Sequence, residues 1–229
     1  MISIARRRKA WKKLRRIRFL LTQRWKYNRL HTEVIGGRSI TVLPQVFCPK
    51  ICLTGEIFAK ALRAEWFNQQ ARVLELGTGS GTVAIFAAEF AREVVAIDIN
   101  PHAVKCASIN VEKNELSEKI TVRESDLFDN IQQEEFDVIL FNPPFFEETP
   151  RSILDRAWRS TNVAERLANQ LGNHLTNDGR LLLFLSGDGP PDVFLKPLRE
   201  KNYQISEIFY KDVKSEEFFI FQVESVKTH

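Results

Sequence analysis

The stretch RVLELGTGSGTVAIFAA, residues 72–88, constrains the fold of this chain more than any other. Its first five residues, Arg72–Leu76, form a short apolar run of the kind that makes a buried parallel strand. Three glycines come next, Gly77, Gly79 and Gly81, and then a helical pattern carried by Val83, Ala84, Phe86, Ala87 and Phe90. Strand, glycine-rich turn and helix bring backbone close to an adenosine-type ligand at a helix N-terminus. Side chains at Gly77 or Gly79 would occupy the space that ligand needs. A dinucleotide site uses G-x-G-x-x-G, with pyrophosphate on the helix end. Here the spacing is G-x-G-x-G, and Glu75 stands two residues before the first glycine. An acid at that place suits a positively charged ligand rather than a pyrophosphate.

The order of the downstream strands and acids narrows the choice. A second apolar run, 94–97, ends in Asp98, twenty-one residues after Gly77, where an acid can accept both ribose hydroxyls. Asp126 comes after the short run 120–122, and the run Phe136–Phe141 leads directly into Asn142-Pro143-Pro144-Phe145. Together these residues resemble the S-adenosylmethionine-dependent methyltransferases of the Rossmann-like type. The NPPF tetrad is similar to that of the amino-methylating branch, which includes release-factor-type glutamine methyltransferases and the "methyltransferase small" domain proteins. The resemblance covers residues 46–221. It implies S-adenosyl-L-methionine as cofactor, held by Glu75, Gly77, Thr78, Gly79, Gly81, Asp98, Ile99, Asp126 and Leu127, with Asp126 near the adenine amino group. A proline followed by Thr-x-Glu closes over the methionine end in that family, and Pro49, Thr54 and Glu56 match it. The same residues also read as a proline-bounded loop and a helix capped by Thr54.

Methyl transfer from a sulfonium is an in-line displacement that needs a lone pair aimed at the methyl carbon. An amide or aromatic amine has that pair delocalised. The side-chain oxygen of Asn142 can accept one N–H of such a group while the carbonyl of Pro143 accepts the other. Two prolines restrict the backbone and remove competing donors. Phe145 offers a flat face to a planar acceptor. Orientation of this kind can supply about 7–11 kcal/mol without a general base. The expected catalytic set is therefore Asn142, Pro143 and Phe145, with Asn142 also beside the cofactor. The acceptor class stays open. The stretch through Asp155-Arg156-Ala157-Trp158 resembles the glutamine methyltransferases, whereas NPPFF resembles some RNA adenine N6 enzymes. A protein glutamine amide is the favoured expectation. The alternatives are RNA adenine N6 or guanine N2, a small-molecule amine, or a methyltransferase-like scaffold without activity.

The net charge of +4 hides a partition. Residues 1–29 hold twelve Lys or Arg and no acid, which leaves 21 basic against 29 acidic residues in the remainder. Trp11, Leu14, Ile17, Leu21 and Trp25 recur at helical spacing, so the arm reads as a basic amphipathic helix. Residues 6–29 suit a nucleic-acid or ribosome contact, an anionic membrane surface, a targeting segment, or docking on the chain's own acidic body. The expected organisation is a basic arm over residues 1–30 and a methyltransferase domain over 31–229. The resemblance implies a larger helical substrate domain in front, and the short basic segment here is expected to be a departure from that pattern.

Cys48-x-x-x-Cys52 has no second pair and no histidine at ligand spacing, so no metal site is expected. An odd cysteine count, no apolar run long enough for a membrane span, and no apolar stretch after Met1 lead to the expectation of a cytoplasmic protein, taken to be a monomer. Further strands are expected at 39–43, 180–185, 203–210 and 217–224, the last two as an antiparallel pair. Helices are expected at 56–66, from Pro101 onward, at 162–175 and at 193–201, with a loop at 146–160. The predicted fold is α/β: a Rossmann-like, seven-stranded, mostly parallel sheet with helices on both faces and a basic helical arm.

Overall fold

The computed structural model describes residues 29–50, 53–68, 70–144, 146–187, 189–213 and 216–226. The basic arm, apart from Arg29 and Leu30, lies outside them, as do Cys52 and Phe145. A hairpin of β1 (His31–Ile35) and β2 (Arg38–Val42) comes first, then α1 (Thr54–Ala61). The central strands and helices alternate as β3 (Arg72–Leu76), α2 (Thr82–Ala87), β4 (Glu93–Asp98), α3 (Pro101–Lys113), β5 (Ile120–Glu124) and β6 (Phe136–Phe141). Two short strands, β7 (Phe146–Glu147) and β8 (Arg159–Ser160), precede α4 (Val163–Gln170). The chain closes with β9 (Leu175–Ser186), α5 (Asp192–Glu200), β10 (Tyr203–Val213) and β11 (Glu216–Ser225).

Seven strands form one sheet in the order β10-β11-β9-β6-β3-β4-β5. Neighbours from β9 to β5 are parallel, while β11 is antiparallel to both β9 and β10. Only β11 therefore runs against the rest. The predicted α/β sheet is the one observed. Both faces are covered because side chains alternate along each strand. Val73, Val138, Leu140, Leu182 and Phe184 enter one core cluster, with α1 and α2. Leu74, Leu76, Ile139, Phe141, Leu181 and Leu183 enter the other, with α4 and α5. In the first cluster Phe184 stacks on Phe58 and Phe218, with ring centroids 5.1 and 5.8 Å away.

Several boundaries differ from expectation for local reasons. Leu53, in the left-handed region at φ 61°, caps α1, and Thr54 is its first helical residue rather than its cap. The helix stops at Ala61 because Leu62 turns extended, and Ala64–Trp66 is a separate 3-10 turn. The expected 162–175 helix ends at Gln170, passes through a 3-10 turn, and gives Leu175 to β9. That strand starts earlier than predicted by bending at Gly179, where an added Cβ would lie 2.8 Å from the Phe136 carbonyl. The 146–160 loop contains the β7–β8 pair and a 3-10 turn, Leu154–Ala157. Among the described residues, no helix is long and apolar enough to cross a membrane.

Candidate functional site

Strand order reverses at β3, and ligands of open α/β sheets sit outside the carboxyl ends of strands at such a point. Here those ends carry the glycine turn, Asp98, Asp126 and Asn142. They line one cavity of about 220 Å³, whereas a second cavity holds only about 10 Å³, at most room for one water. Glu75, Gly77, Thr78, Gly79, Asp98, Ile99, Asp126, Leu127, Asn142 and Pro143, all predicted from sequence, line the larger cavity.

The glycine turn divides its labour. Gly77 and Gly79 have φ of 68° and 58°, and an added Cβ would meet nothing nearer than 3.9 Å, leaving backbone open to a ligand. Gly81, at φ 78°, lies elsewhere: its Cβ would approach Ala107 of α3 at 3.1 Å. It lets two helices pack and does not line the cavity.

Glu75 is buried at the cavity floor. Its Oε2 accepts from the Thr78 hydroxyl at 2.6 Å and from the Ala84 backbone N–H at 2.8 Å. Burial outweighs those bonds and pushes its carboxyl up to about 8, so a cation is needed to keep it ionised near neutral pH. Asp98 accepts from the backbone N–H of Gly79 at 2.8 Å and of Asn100 at 2.9 Å. Burial raises it to about 6. Each of its oxygens keeps a lone pair for a hydroxyl donor.

Asp126 faces cations that sequence reasoning did not assign. Arg166 of α4 donates to Asp126 Oδ1 at 2.8 Å, and Arg156 lies 3.9 Å from Oδ2. Arg166 is forty residues away and α4 carries no motif, so no local signal points to it. Leu127 beside it sits at φ 50°. The Ser125 hydroxyl holds that backbone by donating to the Leu127 carbonyl at 2.8 Å while accepting from Asn130 N–H at 3.0 Å.

Asn142 lines the cavity and its side-chain Oδ1 is buried without a hydrogen-bond partner. Its Nδ2 donates to Thr54 Oγ1 at 3.4 Å. Thr54 is buried and does not line the cavity; it sits behind Asn142 and fixes which way the amide faces. Glu56 pairs with Lys60 at 2.6 Å and does not reach the cavity. Phe145 lies outside the described residues. Phe47, Pro49 and Gly55 form another part of the wall. The Phe47 segment is tied to α3 through Asn100, whose Nδ2 donates to the Gln45 carbonyl at 2.8 Å. Phe47 packs on Trp158 from the 146–160 segment, with ring centroids 5.4 Å apart.

The chain is 35% identical over 130 residues to a release factor glutamine methyltransferase of Rhodopirellula baltica, covering 50% of this chain and 44% of that one. It is 32% identical over 177 residues to a release factor glutamine methyltransferase of Lactococcus lactis, covering 69% of this chain and 64% of the relative. It thus spans less than two thirds of either. Among solved structures, a 16S rRNA N2 G1207 methyltransferase of T. thermophilus, in complex with AdoMet and guanosine, superposes with a TM-score of 0.65 at 22% identity. That likeness covers 86% of this chain and 50% of the other, and it speaks to the fold alone. The sequence profile of the methyltransferase small domain matches residues 37–206. Because that match takes in the five parallel strands β3, β4, β5, β6 and β9 and every wall of the cavity, the chain belongs to the methyltransferase small domain family.

Proposed function

We propose that this protein is an S-adenosylmethionine-dependent N-methyltransferase whose acceptor is the side-chain amide of a glutamine in another protein. The observation that carries the proposal is Asn142, a residue of the cavity wall whose buried Oδ1 has no hydrogen-bond partner. An acceptor oxygen left unsatisfied in this way costs about 1–3 kcal/mol until a donor arrives. An amide –NH₂ supplies that donor. The names of the glutamine-methylating relatives support the same acceptor.

The residues present fit the cofactor. The Gly77 and Gly79 backbone is open, and Glu75 in its unionised state awaits a cation. Asp98 has lone pairs for ribose hydroxyls, and Ile99 and Leu127 supply apolar walls. S-adenosylmethionine, when bound, supplies a methyl group on an electrophilic sulfonium. Thr54 holds the Asn142 amide so that Oδ1 takes one N–H of the acceptor, and the Pro143 carbonyl takes the second. Pro143 and Pro144 restrict the backbone, so the amide nitrogen keeps one orientation. The extra proton leaves to solvent after transfer.

The names of those relatives favour an acceptor among translation proteins and, with it, a cytoplasmic enzyme. The basic arm favours a second reading, an exocyclic amine of RNA. Incubating the purified chain and labelled S-adenosylmethionine with total cell extract separates the two. Label in protein, mapped to glutamine, is the expected result; label confined to RNA overturns the glutamine acceptor, and label in neither overturns the activity.

A further inference from the structure

The β1–β2 hairpin brings together three side chains that lie apart in sequence. His31 and Glu33 alternate onto the inward face of β1, and Cys48, fully buried, comes from the segment after β2. Cys48 Sγ lies 3.2 Å from Glu33 Oε1 and 3.6 Å from His31 Nε2, and the last two atoms are 3.7 Å apart. We propose that His31, Glu33 and Cys48 are three protein ligands of a Zn²⁺ ion, with solvent as the fourth.

Two features suit a metal. The first is size. Zinc bonds of about 2.0–2.3 Å at tetrahedral angles separate ligand atoms by roughly 3.3–3.6 Å, close to the triangle observed. The second is support behind the ligands. His31 Nδ1 lies 3.2 Å from the Arg29 carbonyl, an oxygen that can only accept, so Nδ1 donates there and Nε2 is the ring nitrogen turned toward the cluster. Glu33 Oε2 accepts from the Lys50 backbone N–H at 3.3 Å, which turns Oε1 toward Cys48. Binding of the ion releases the thiol proton, so Cys48 meets it as a thiolate. One imidazole, one carboxylate and one thiolate suit Zn²⁺ better than a hard oxygen-seeking ion.

The spacing of Cys48 and Cys52 gave no hint of this site, because its histidine is seventeen residues upstream and meets the cysteine only through the hairpin. The metal would fasten to β1 the segment whose Phe47 and Pro49, on either side of Cys48, line the large cavity.

The test uses the full chain, reduced, freed of metal and titrated with Co²⁺ followed by Zn²⁺. One equivalent of Co²⁺ with a thiolate-to-cobalt charge-transfer band, displaced by Zn²⁺, is expected. The band should vanish in Cys48→Ser and persist in Cys106→Ser, whose thiol is buried elsewhere. His31→Ala and Glu33→Gln should weaken binding by more than the 10–100-fold typical of losing a group behind a ligand. Circular dichroism establishes that each variant is folded. A wild-type chain that develops no band overturns the proposal without reference to any variant. So does a band that survives Cys48→Ser in folded protein. None of these readouts depends on methyl transfer.

Discussion

At the scale of single residues, the site is built from groups held away from their relaxed states. Glu75 is the clearest case. Its folded value of about 8 stands above the ordinary 4.5, so between those limits the folded chain keeps a proton that the unfolded chain has lost. Stability of the ligand-free protein should therefore be intact below about pH 4.5 and fall as pH rises toward 8. Asp98, raised from 3.8 to about 6, adds to this at the lower end. Thermal melts from pH 5 to 8 should show the decline, and Glu75→Gln should flatten most of it. A cationic ligand reverses the preference, so S-adenosylmethionine binding should release protons and tighten by up to about tenfold per pH unit between 6 and 8. Calorimetry in buffers of different ionisation enthalpy, on wild type and Glu75→Gln, checks that sign. Asn110 shows the structural counterpart. It is wholly buried, donates to the Thr41 and Ser80 carbonyls at 2.7 and 2.8 Å, and accepts from Thr41 N–H at 2.8 Å. Asn110→Leu strands those three backbone groups and should cost about 3–5 kcal/mol in urea unfolding. Motif residues such as Asp98 and Asn142 were legible because strand ends place them. Asn110, Arg166 and Thr54's support of Asn142 were not, because each acts on a partner 30 to 88 residues away.

At the scale of elements, the glycine turn separates backbone that faces the cavity from backbone that packs on α3. Gly77→Ala and Gly81→Ala carry similar backbone strain, about 1–3 kcal/mol for a side chain held at positive φ. Only Gly81→Ala also drives a Cβ against Ala107. We expect it to lower stability more, with cofactor affinity lost only through the fold. Gly77→Ala should keep more of its stability and lose affinity directly. Denaturant titration paired with calorimetry on both variants reads the difference, and equal effects of the two on both quantities would contradict it. The parallel strands were legible because burial on both faces makes them continuous apolar runs. β1 was not, since HTEVI opens on three polar residues without polar–apolar alternation and pairs only with β2. The early end of α1 was also hidden, because Leu62 and Arg63 turn extended within an otherwise amphipathic stretch.

At the scale of the whole molecule, an acidic body carries a basic arm, twelve positive charges in its first 29 residues against 29 acids and 21 bases after them. If the arm meets RNA, four phosphate contacts give a slope of log K against log salt near −2.8, and deletion of residues 6–29 should flatten it. If it lies on an anionic membrane, Trp11→Ala/Trp25→Ala should abolish vesicle sedimentation while leaving that slope alone. We propose that the cavity at the strand ends holds S-adenosylmethionine and that Asn142 presents an acceptor nitrogen to it. The most direct test is single-turnover methyl transfer to a glutamine substrate, with wild type and Asn142→Ala both saturated with cofactor. The variant should bind S-adenosylmethionine within about threefold of wild type and transfer at least about 100-fold more slowly, as loss of a positioning contact implies. A variant that transfers at the wild-type rate, with only the acceptor bound more weakly, would contradict the claim.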